Sequence, residues 1–370
     1  MGDAKCFWVA FNLVPGIGPA RIQRLLDTFG SLRSAWHASP SSLKHAGIPV
    51  NAVQALVTLR ARIDPVAEEL RVYDAGFSAL TIDEPAYPVR LKEIDAAPPL
   101  LYIWGELKTQ DKLAVALVGT RRASPYGRSV AEELASNFAG SGITVISGLA
   151  RGIDASAHEA ALRAGGRTIA VLGSGLNHIY PSEHRNLARE IADCGAVVSD
   201  YPLDTRPEGK NFPPRNRIIS GLSLAIVVVE AGESSGALIT ADFAVEQGRD
   251  VFAVPGDIDR PGSVGCNRLI QSGAEPLLSP EDVLERLNLE LIARQEKAFE
   301  ELPEDETERS LLQLLSDHPL HVDEIGAATG MPAATIAASL ALLELKGRVR
   351  QVGGMHYIRM REPKTPYRVE

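Results

Sequence analysis

The stretch Ala114-Val115-Ala116-Leu117-Val118-Gly119-Thr120-Arg121-Arg122 decides the fold of this 370-residue chain, because a short apolar run ends abruptly in small and basic residues. Such a run is typical of a strand buried on both faces of a parallel sheet. Similar runs follow it along the chain, so several such strands are expected. The predicted strands are Ala114–Val118, Ile143–Ser147, Thr168–Leu172, Ala196–Ser199, Leu224–Val229 and Val251–Val254.

Helical patterns separate these runs, and the clearest of them are Tyr126–Ala139, Ala155–Ala164 and Ala237–Gln247. A regular alternation of strand and helix predicts an α/β fold whose core is a Rossmann-like, doubly wound parallel sheet. Ligands of such a sheet bind outside the carboxyl ends of its strands. The loops that follow the predicted strands are therefore where a binding site is expected.

The rest of the chain divides into regions by composition. Gly/Pro turns between short helical patterns indicate a small helical domain at the N-terminus, and a run of acidic residues near the C-terminus indicates a solvated linker. The predicted division is a helical domain (1–65), an extended connection that contains a strand at Leu101–Trp104 (66–110), the Rossmann-like core (111–290), an acidic linker (291–306), a three-helix and hairpin domain (307–361) and a tail (362–370).

Composition excludes several classes of protein. The formal net charge of −9 argues against indiscriminate binding to nucleic acid, but it allows a local basic groove. No apolar run is long enough for a transmembrane helix, and no secretion signal is present, so no membrane partner is expected. The three cysteines are too far apart for a disulfide framework or a metal site, which favours a reducing cytoplasm.

The loops after the predicted strands share small residues and cations. Glycine allows a ligand to approach the backbone closely, and arginine offers donors that suit phosphate. The set predicts an anion-binding rim several phosphates long. Its members are Gly119, Thr120 and Arg121 after the first strand, Ser147, Gly148, Arg151 and Gly152 after the second, and Gly173, Ser174 and Gly175 after the third.

The connection after the fourth strand carries the strongest signal. Its basic and aromatic side chains stand at the predicted start of a helix, where cations oppose the helix dipole unless an anion docks there. A phenylalanine among them suggests a phosphate chain whose bases can stack. The residues of this segment that complete the predicted site are Lys210, Asn211, Phe212, Arg215, Asn216 and Arg217.

Several of these residues also have a purely structural interpretation. The Gly173–Gly175 segment suits a tight turn better than a ligand site. Phe212 could equally be core, and Arg151 could pair with Asp154. Asp154 and His158 lie four residues apart on a predicted helix, where a surface contact is the simplest interpretation.

Known catalytic and nucleotide motifs are absent. The first turn, Gly119-Thr120-Arg121-Arg122, is not a dinucleotide fingerprint, no P-loop occurs, and no serine or cysteine lies in a nucleophile elbow. We therefore expect no cofactor, no metal and no catalytic residue. A binding protein rather than an enzyme is the expectation.

Taken together, the motif blocks resemble the DprA (Smf) family of bacterial DNA-processing proteins. The blocks are Val118–Arg121, Ser147–Asp154, Phe212–Ser223, Gly232–Thr240 and Val254–Gly256, and they occur in the family's order. The resemblance implies a dimer that binds single-stranded DNA, protects incoming strands and helps load the RecA recombinase during natural transformation.

By the same resemblance, the candidate residues acquire particular roles. Arg121 and Lys210 would hold phosphates and Phe212 would stack on a base, while the Ser147–Gly152 and Gly173–Gly175 loops would line the groove through their N–H groups. The chain departs from the family pattern at Glu208 and Pro214, where relatives often carry basic residues.

The two ends resemble small DNA-binding modules. Leu13-Val14-Pro15-Gly16-Ile17-Gly18-Pro19-Ala20 resembles a helix-hairpin-helix (SAM-like) turn, although a packing role is the more economical interpretation. The last domain resembles a winged helix, with paired helices at His321–Thr329 and Ala333–Leu345 and a wing at Val349–Arg359. Its second helix offers almost no donors to base edges, so it is expected to contact protein or DNA backbone.

Two other functions stay open at this point. A nucleotide phosphoribohydrolase-like enzyme would share the sheet architecture, and Glu230 and Glu233 are the carboxylates that keep it under consideration, although its Pro-Gly-Gly-x-Gly-Thr loop is missing. A binder of duplex DNA that uses only the two end modules is the other alternative.

Overall fold

The computed structural model describes residues 4–287, 306–316, 319–345 and 348–359. Contacts divide the chain into two compact units, Met1–Leu289 and Glu290–Glu370. The predicted acidic linker, apart from its last residue, and the predicted tail lie outside the described residues.

A nine-stranded sheet forms the centre of the first unit, in the order β1-β2-β6-β5-β4-β3-β7-β8-β9. Strands β3 to β9 run parallel to one another, and the order reverses between β3 and β7. The Rossmann-like parallel sheet is thereby confirmed, and its topological switch point lies at β3 and β7. The strands are β1 (Ser78–Thr81), β2 (Leu100–Gly105), β3 (Ala114–Gly119), β4 (Thr144–Ser147), β5 (Thr168–Val171), β6 (Ala196–Ser199), β7 (Ala225–Glu230), β8 (Asp250–Ala253) and β9 (Glu275–Pro276).

The region predicted as an extended connection, 66–110, contributes two strands to the sheet. Strand β2 pairs antiparallel with β6, and β1 pairs antiparallel with β2, so this region widens the sheet at one edge. The run Leu100-Leu101-Tyr102-Ile103 is buried on both faces. Tyr102 packs with the N-terminal helices and Leu101 with the opposite face, as side-chain alternation along a strand requires.

Helices cover both faces of the sheet. The parallel strands alternate with helices whose bounds lie within two residues of the predicted ones, because the apolar patterns there are strong. After β1 come α7 (Val89–Lys92), α8 (Pro125–Gly140), α9 (Ile153–Arg163), α10 (Arg185–Cys194), α11 (Phe212–Leu222), α12 (Gly236–Glu246), α13 (Val264–Gln271) and α14 (Pro280–Arg286), with short 3-10 turns at Thr109–Lys112, Ser182–His184 and Gly209–Asn211.

The N-terminal region packs directly on the sheet. Trp8, Phe11 and Leu25 belong to one buried apolar cluster that also contains Tyr102 and Val197 of the sheet. Burial of large apolar side chains on this scale dominates the stability of such a contact. The helices here are α1 (Lys5–Asn12), α2 (Pro19–Phe29), α3 (Leu32–His37), α4 (Pro40–His45), α5 (Val50–Arg60) and α6 (Pro65–Asp74).

The helix-hairpin-helix turn has its arginines engaged within the chain. Arg21 donates to the carbonyl of Gly16, which has a φ of 83°. Arg24 donates to the carbonyl of Gly47, which has a φ of 78°, at 3.2 Å. Only glycine adopts such φ values without a steric penalty, so each arginine fastens a glycine turn.

The second unit is a winged helix, as the sequence predicts. Three helices pack around a small apolar core that includes Leu311, Ile325 and Leu340. A three-stranded sheet of order β10-β12-β11 contains the wing hairpin. The elements are α15 (Glu306–Leu314), β10 (Leu320–His321), α16 (Val322–Thr329), α17 (Ala333–Leu345), β11 (Val349–Gln351) and β12 (His356–Arg359).

In the described part of the chain, no single helix is long and apolar enough to cross a membrane. One pair of helices, Val322–Thr329 and Ala333–Glu344, meets that test of length and composition only when taken together, and it bends by 114°.

His158 is fully buried between α9 and the sheet, and the predicted surface contact with Asp154 is wrong. Its Nδ1 lies 2.6 Å from the hydroxyl of Thr168, which itself donates to the carbonyl of Val145 at 2.7 Å. The hydroxyl proton is thereby used, so Nδ1–H donates to the oxygen of Thr168. Burial lowers the pKa of His158 to about 3.

Substitution of His158 by asparagine is expected to make the free energy of unfolding less dependent on pH below about pH 6.5. The folded pKa lies below the usual 6.5, so the unfolded chain takes up a proton that the folded chain refuses as pH falls from 6.5 towards 3. The free energy of unfolding should therefore fall over this range, by up to about 1.4 kcal/mol per pH unit. Urea unfolding of both proteins from about pH 7.5 to about pH 5 measures the difference, and parallel profiles would contradict it.

Candidate nucleic-acid interface

A cleft of about 640 Å³ opens at the carboxyl edge of the sheet, at the switch point between β3 and β7. Its walls come from the loops after β3 and β4, from the start of α11 and from the start of α12. Of the predicted site residues, Gly119, Thr120, Arg121, Phe212, Arg215 and Asn216 line it. The cleft thus occupies the place that the strand-end pattern predicts.

A stack of three side chains forms the most exposed part of this cleft. The guanidinium of Arg121 lies 5.3 Å from the ring centroid of Phe212, and the ring of Tyr180 lies 5.6 Å from that of Phe212 at 46°. Both separations are in the range of cation–π and aromatic contacts. Arg121 and Tyr180 are exposed and Phe212 is half-buried, so the stack presents a cation and ring surface to solvent.

Arg215 is buried beneath this stack and differs from the exposed cation that the sequence suggests. It is 5% exposed, and its Nη1 donates to the carbonyl of Gly148 at 2.9 Å and to the carbonyl of Val171. Burial lowers the pKa of Arg215 to about 10, while the nearby carboxylate of Asp154 opposes that shift. The guanidinium therefore joins the ends of β4 and β5 to α11 from inside the protein.

Asp154 supplies the counter-charge inside the protein. Its Oδ2 accepts N–H bonds from Gly148 at 3.1 Å and from Ala150 at 3.3 Å. Burial raises the pKa of Asp154, and the charge of Arg215 opposes the shift. The N–H groups that the family resemblance assigns to the groove at Gly148 and Ala150 are thus occupied by this carboxylate.

Replacement of Arg215 by methionine is expected to lower the free energy of unfolding by about 3 kcal/mol, because a buried carboxylate loses its charge partner. Chemical denaturation measures the loss. Asp154→Asn combined with Arg215→Met should cost less than the sum of the single changes, by roughly 1 kcal/mol or more. Arg163→Met is the control, since Arg163 makes only exposed ion pairs to Glu132 and Glu159. Equal losses at Arg215 and Arg163 would contradict the internal role.

The glycines of the β3 and β4 loops serve close packing. A Cβ on Gly119 would lie 2.5 Å from the side chain of Ile153, and one on Gly152 would lie 2.4 Å from the carbonyl of Thr120. The hydroxyl of Ser147 donates to the carbonyl of Leu117 at 2.6 Å, inside the sheet. These residues set the shape of the cleft floor without offering their own side chains to a ligand.

The segment Gly173-Ser174-Gly175 is a buried turn outside the lining of the cleft. A Cβ on Gly173 would lie 2.8 Å from the Phe212 ring, and the N–H of Gly175 donates to the carbonyl of Thr205. The tight-turn interpretation thus describes its geometry. Its contribution to the cleft is indirect, since Gly173 leaves room for the ring of Phe212.

The remaining predicted residues lie around the cleft or away from it. Lys210 is exposed on the turn before α11 and pairs with Glu208 at 2.6 Å. Arg151 pairs with Glu183 at 2.5 Å rather than with Asp154. Arg217 lies away from the cleft lining, in an ion pair with Asp200 at 2.6 Å.

Asn211 and Asn216, the two asparagines of the predicted site, are both buried, and each takes part in a hydrogen bond that involves a backbone carbonyl. Asn216 donates to the carbonyl of Gly236 at 3.2 Å, which links α11 to α12. The carbonyl of Asn211 accepts from the hydroxyl of Tyr201 at 3.2 Å. These two residues hold the entry of α11 in place.

Sequence reasoning missed two contributors to the site. Arg122 lines the cleft beside Arg121, although it stands in the quoted strand-end block. Tyr180 precedes Pro181 in the long connection after β5, where the strand-end pattern does not look for an aromatic ring. An exposed tyrosine beside a proline was the available signal.

The two carboxylates that keep a hydrolase under consideration are both engaged. Glu230 accepts from the N–H of Ser124 at 2.9 Å and from its hydroxyl at 3.1 Å, at the start of α8. Glu233 is exposed and pairs with Arg268. This arrangement does not favour the hydrolase alternative.

Sequence profiles of two domain families match the chain. The family described as DNA recombination-mediator protein A matches residues 78–288, and the DprA winged helix domain matches residues 295–355. Protein Smf of Synechocystis is 37% identical over 96% of this chain and 98% of its own length. Protein Smf of Escherichia coli is 42% identical over 75% of this chain and 76% of its own length.

Two solved structures are similar as well. DNA processing protein A of Streptococcus pneumoniae superposes with a TM-score of 0.67 at 34% identity, covering 77% of this chain and 98% of that one. DNA processing protein A of Helicobacter pylori, described for its single-stranded DNA binding mode, gives a TM-score of 0.52 at 31% identity over 57% of this chain and 95% of that one.

The fold and the cleft define a Rossmann-like protein with an appended winged helix and a cationic, aromatic cleft at its switch point. The chain belongs to the DNA recombination-mediator protein A (DprA/Smf) family of DNA processing proteins.

Proposed function

We propose that this chain binds single-stranded DNA in the switch-point cleft and acts as a recombination mediator without catalytic activity of its own. In this role it protects incoming strands and helps to load RecA during natural transformation, in the cytoplasm and as a homodimer. The observation that carries the proposal is the stack of Arg121 on Phe212 at 5.3 Å, with Tyr180 at its side. A cation and two rings in one open cleft match a phosphate chain with unpaired bases.

Electrostatics explains how an acidic protein can bind DNA here. The chain carries a net charge of −9, so attraction to phosphate must be local. Arg121, Arg122 and Lys210 are exposed around the cleft and offer such local charge. Lys210 is held by Glu208, but an exposed ion pair of this kind is worth at most about 1 kcal/mol, so phosphate can displace it.

The aromatic rings explain a preference for single strands. Base faces are hidden inside a duplex and open in a single strand, so ring stacking favours the latter. The Helicobacter pylori relative is described for single-stranded DNA binding, which supports the same ligand for this chain.

Phe212→Ala removes the ring and is expected to weaken binding of labelled oligo-dT by about 5- to 150-fold, since stacking contributes about 1–3 kcal/mol per base.

The combined change Arg121→Ala/Lys210→Ala should weaken oligo-dT binding by about tenfold or more and reduce the salt slope by about 0.7 per lost phosphate contact. Fluorescence anisotropy at several salt concentrations, against a matched duplex, measures both effects.

The control for these variants is Arg163→Ala, which removes an exposed arginine at the opposite end of α9 from the cleft. It should bind as the unmodified protein does, because long-range charge is screened beyond about 10 Å at moderate salt. Equal binding of duplex and single strand, or unchanged binding by the Arg121→Ala/Lys210→Ala variant, would contradict the assignment of the cleft.

RecA loading gives a separate expected outcome. The protein should accelerate RecA assembly on oligo-dT already coated with single-strand-binding protein, read as the onset of RecA's DNA-dependent ATPase activity. The Phe212→Ala variant should lose this acceleration in proportion to its loss of DNA affinity, whereas Arg163→Ala should keep it. Strong DNA binding with no effect on RecA would overturn the mediator role and leave the DNA site intact, and light scattering tests the homodimer independently.

A further inference from the structure

A second cleft, of about 460 Å³, lies where the helix-hairpin-helix turn meets the sheet. We call it the junction cleft. One wall is the turn from Leu13 to Pro19 with Trp8 behind it, and the other is formed by Pro99, Leu100, the segment Asp200–Pro202 and Arg217. The turn that resembles a DNA-binding hairpin therefore forms one side of a cleft whose other side is the sheet.

Three buried polar atoms of the side chains that line this cleft have no hydrogen-bond partner among the described residues. They are Nε1 of Trp8, Oδ1 of Asp200 and Nη1 of Arg217. Trp8 is 3% exposed, and the Arg217 and Asp200 side chains are 14% and 16% exposed. A buried donor or acceptor without a partner costs about 1–3 kcal/mol, so such a group is a place where a ligand can contribute binding energy.

The pairing of Arg217 with Asp200 leaves half of each group unused. Nη2 of Arg217 donates to Oδ2 of Asp200 at 2.6 Å, while Nη1 and Oδ1 remain without partners in the described part of the chain. The side chains around the cleft thus contain two N–H donors, including that of Trp8, and one carboxylate oxygen that the described residues leave without a partner.

Charge and shape decide which ligand fits these groups. Asp200 neutralises Arg217, so a phosphate would gain little charge attraction and would meet a buried carboxylate. A ligand whose edge both accepts and donates hydrogen bonds suits these three groups better than a phosphate does. The walls are the rings of Trp8 and Tyr201 together with the apolar side chains of Ile17 and Leu100, against which a flat heteroaromatic ring can stack.

We propose that the junction cleft binds a nucleobase, whose acceptor atoms receive the N–H groups of Trp8 and Arg217 and whose amino or imino N–H donates to Asp200. The base comes either from a free nucleoside or from a strand held in the switch-point cleft. Only the second source rests on the function proposed above.

The junction cleft lies close to the segment that carries Lys210 and Phe212. Tyr201 lines the junction cleft, and its hydroxyl donates to the carbonyl of Asn211 at the end of the turn that carries Lys210. Arg217 stands on the same helix as Phe212, with an axial separation of about 7.5 Å. A strand that leaves the Phe212 stack past Lys210 therefore arrives beside the junction cleft.

The test uses the indole N–H resonances of the full chain labelled with 15N-tryptophan. The chain has three tryptophans, and Trp8→Phe identifies the resonance of interest. Each of the four deoxynucleosides is added in turn, with deoxyribose 5-phosphate as the control for sugar and phosphate. We expect a saturable shift of the Trp8 resonance with at least one deoxynucleoside and no shift with the control. The resonances of the other two tryptophans should not shift.

Gly18→Leu provides a variant that blocks the junction cleft. Gly18 lines it, has an ordinary φ of −105°, and a Cβ there would meet no atom within 4 Å, so a larger side chain fits without strain. Gly18→Leu should abolish the Trp8 shift, and Asp200→Asn should weaken nucleoside binding by about tenfold. No shift with any deoxynucleoside, or an equal shift in Gly18→Leu, would overturn the proposal.

The Arg121→Ala/Lys210→Ala variant separates this proposal from the DNA-binding function. Free deoxynucleosides should shift Trp8 in that variant as in the unmodified protein, even where oligonucleotide binding is lost. A shift of Trp8 by oligo-deoxynucleotides in the unmodified protein that disappears in the variant identifies the strand as the source of the base. A shift with free nucleosides alone identifies the nucleoside.

Discussion

The buried guanidinium of Arg215 is the interaction on which the switch-point cleft depends. It joins the carbonyls of Gly148 and Val171, at the ends of two neighbouring strands, to the first turn of α11. The guanidinium also lies 5.9 Å from the Phe212 ring centroid, so the stacking residue rests on an internal charge. The carboxylate of Asp154, at the start of α9, interacts favourably with that charge, so the buried group depends on two helices and two strands together.

This arrangement changes the meaning of the basic segment that opens α11. Cations at a helix N-terminus oppose its dipole, and an external anion is one remedy. Here carboxylates of the protein itself stabilise the cations, Asp154 near Arg215 and Asp200 in an ion pair with Arg217. The cations that are exposed around the cleft are Arg121, Arg122 and Lys210.

Sequence patterns predicted the parallel sheet and its helices because strands that are buried on both faces have continuously apolar sequences. The winged helix was predicted from a resemblance, because two paired helices and a hairpin follow one another in the order of that module. The Leu101–Trp104 strand of the connection was predicted, but β1 and the pairing of both strands with the sheet were missed, since a short strand next to prolines has the same local pattern as an extended linker. The burial of Arg215 could not be predicted, because its partners Gly148, Val171 and Asp154 are distant in sequence.

The placement of charge also supports the proposed selectivity of this acidic chain for single strands. Lys210 and Arg151, at the edge of the switch-point cleft, are each held by a glutamate, whereas Arg121 lies over an aromatic ring. Phosphate attraction alone would be weak and would not distinguish a single strand from a duplex. The aromatic surface is what distinguishes them, since stacking requires exposed base faces. At the edge of the switch-point cleft the attraction for phosphate is weak, and at its centre the rings can stack on bases. Taken together, these two features favour a flexible, unpaired strand over any other polyanion.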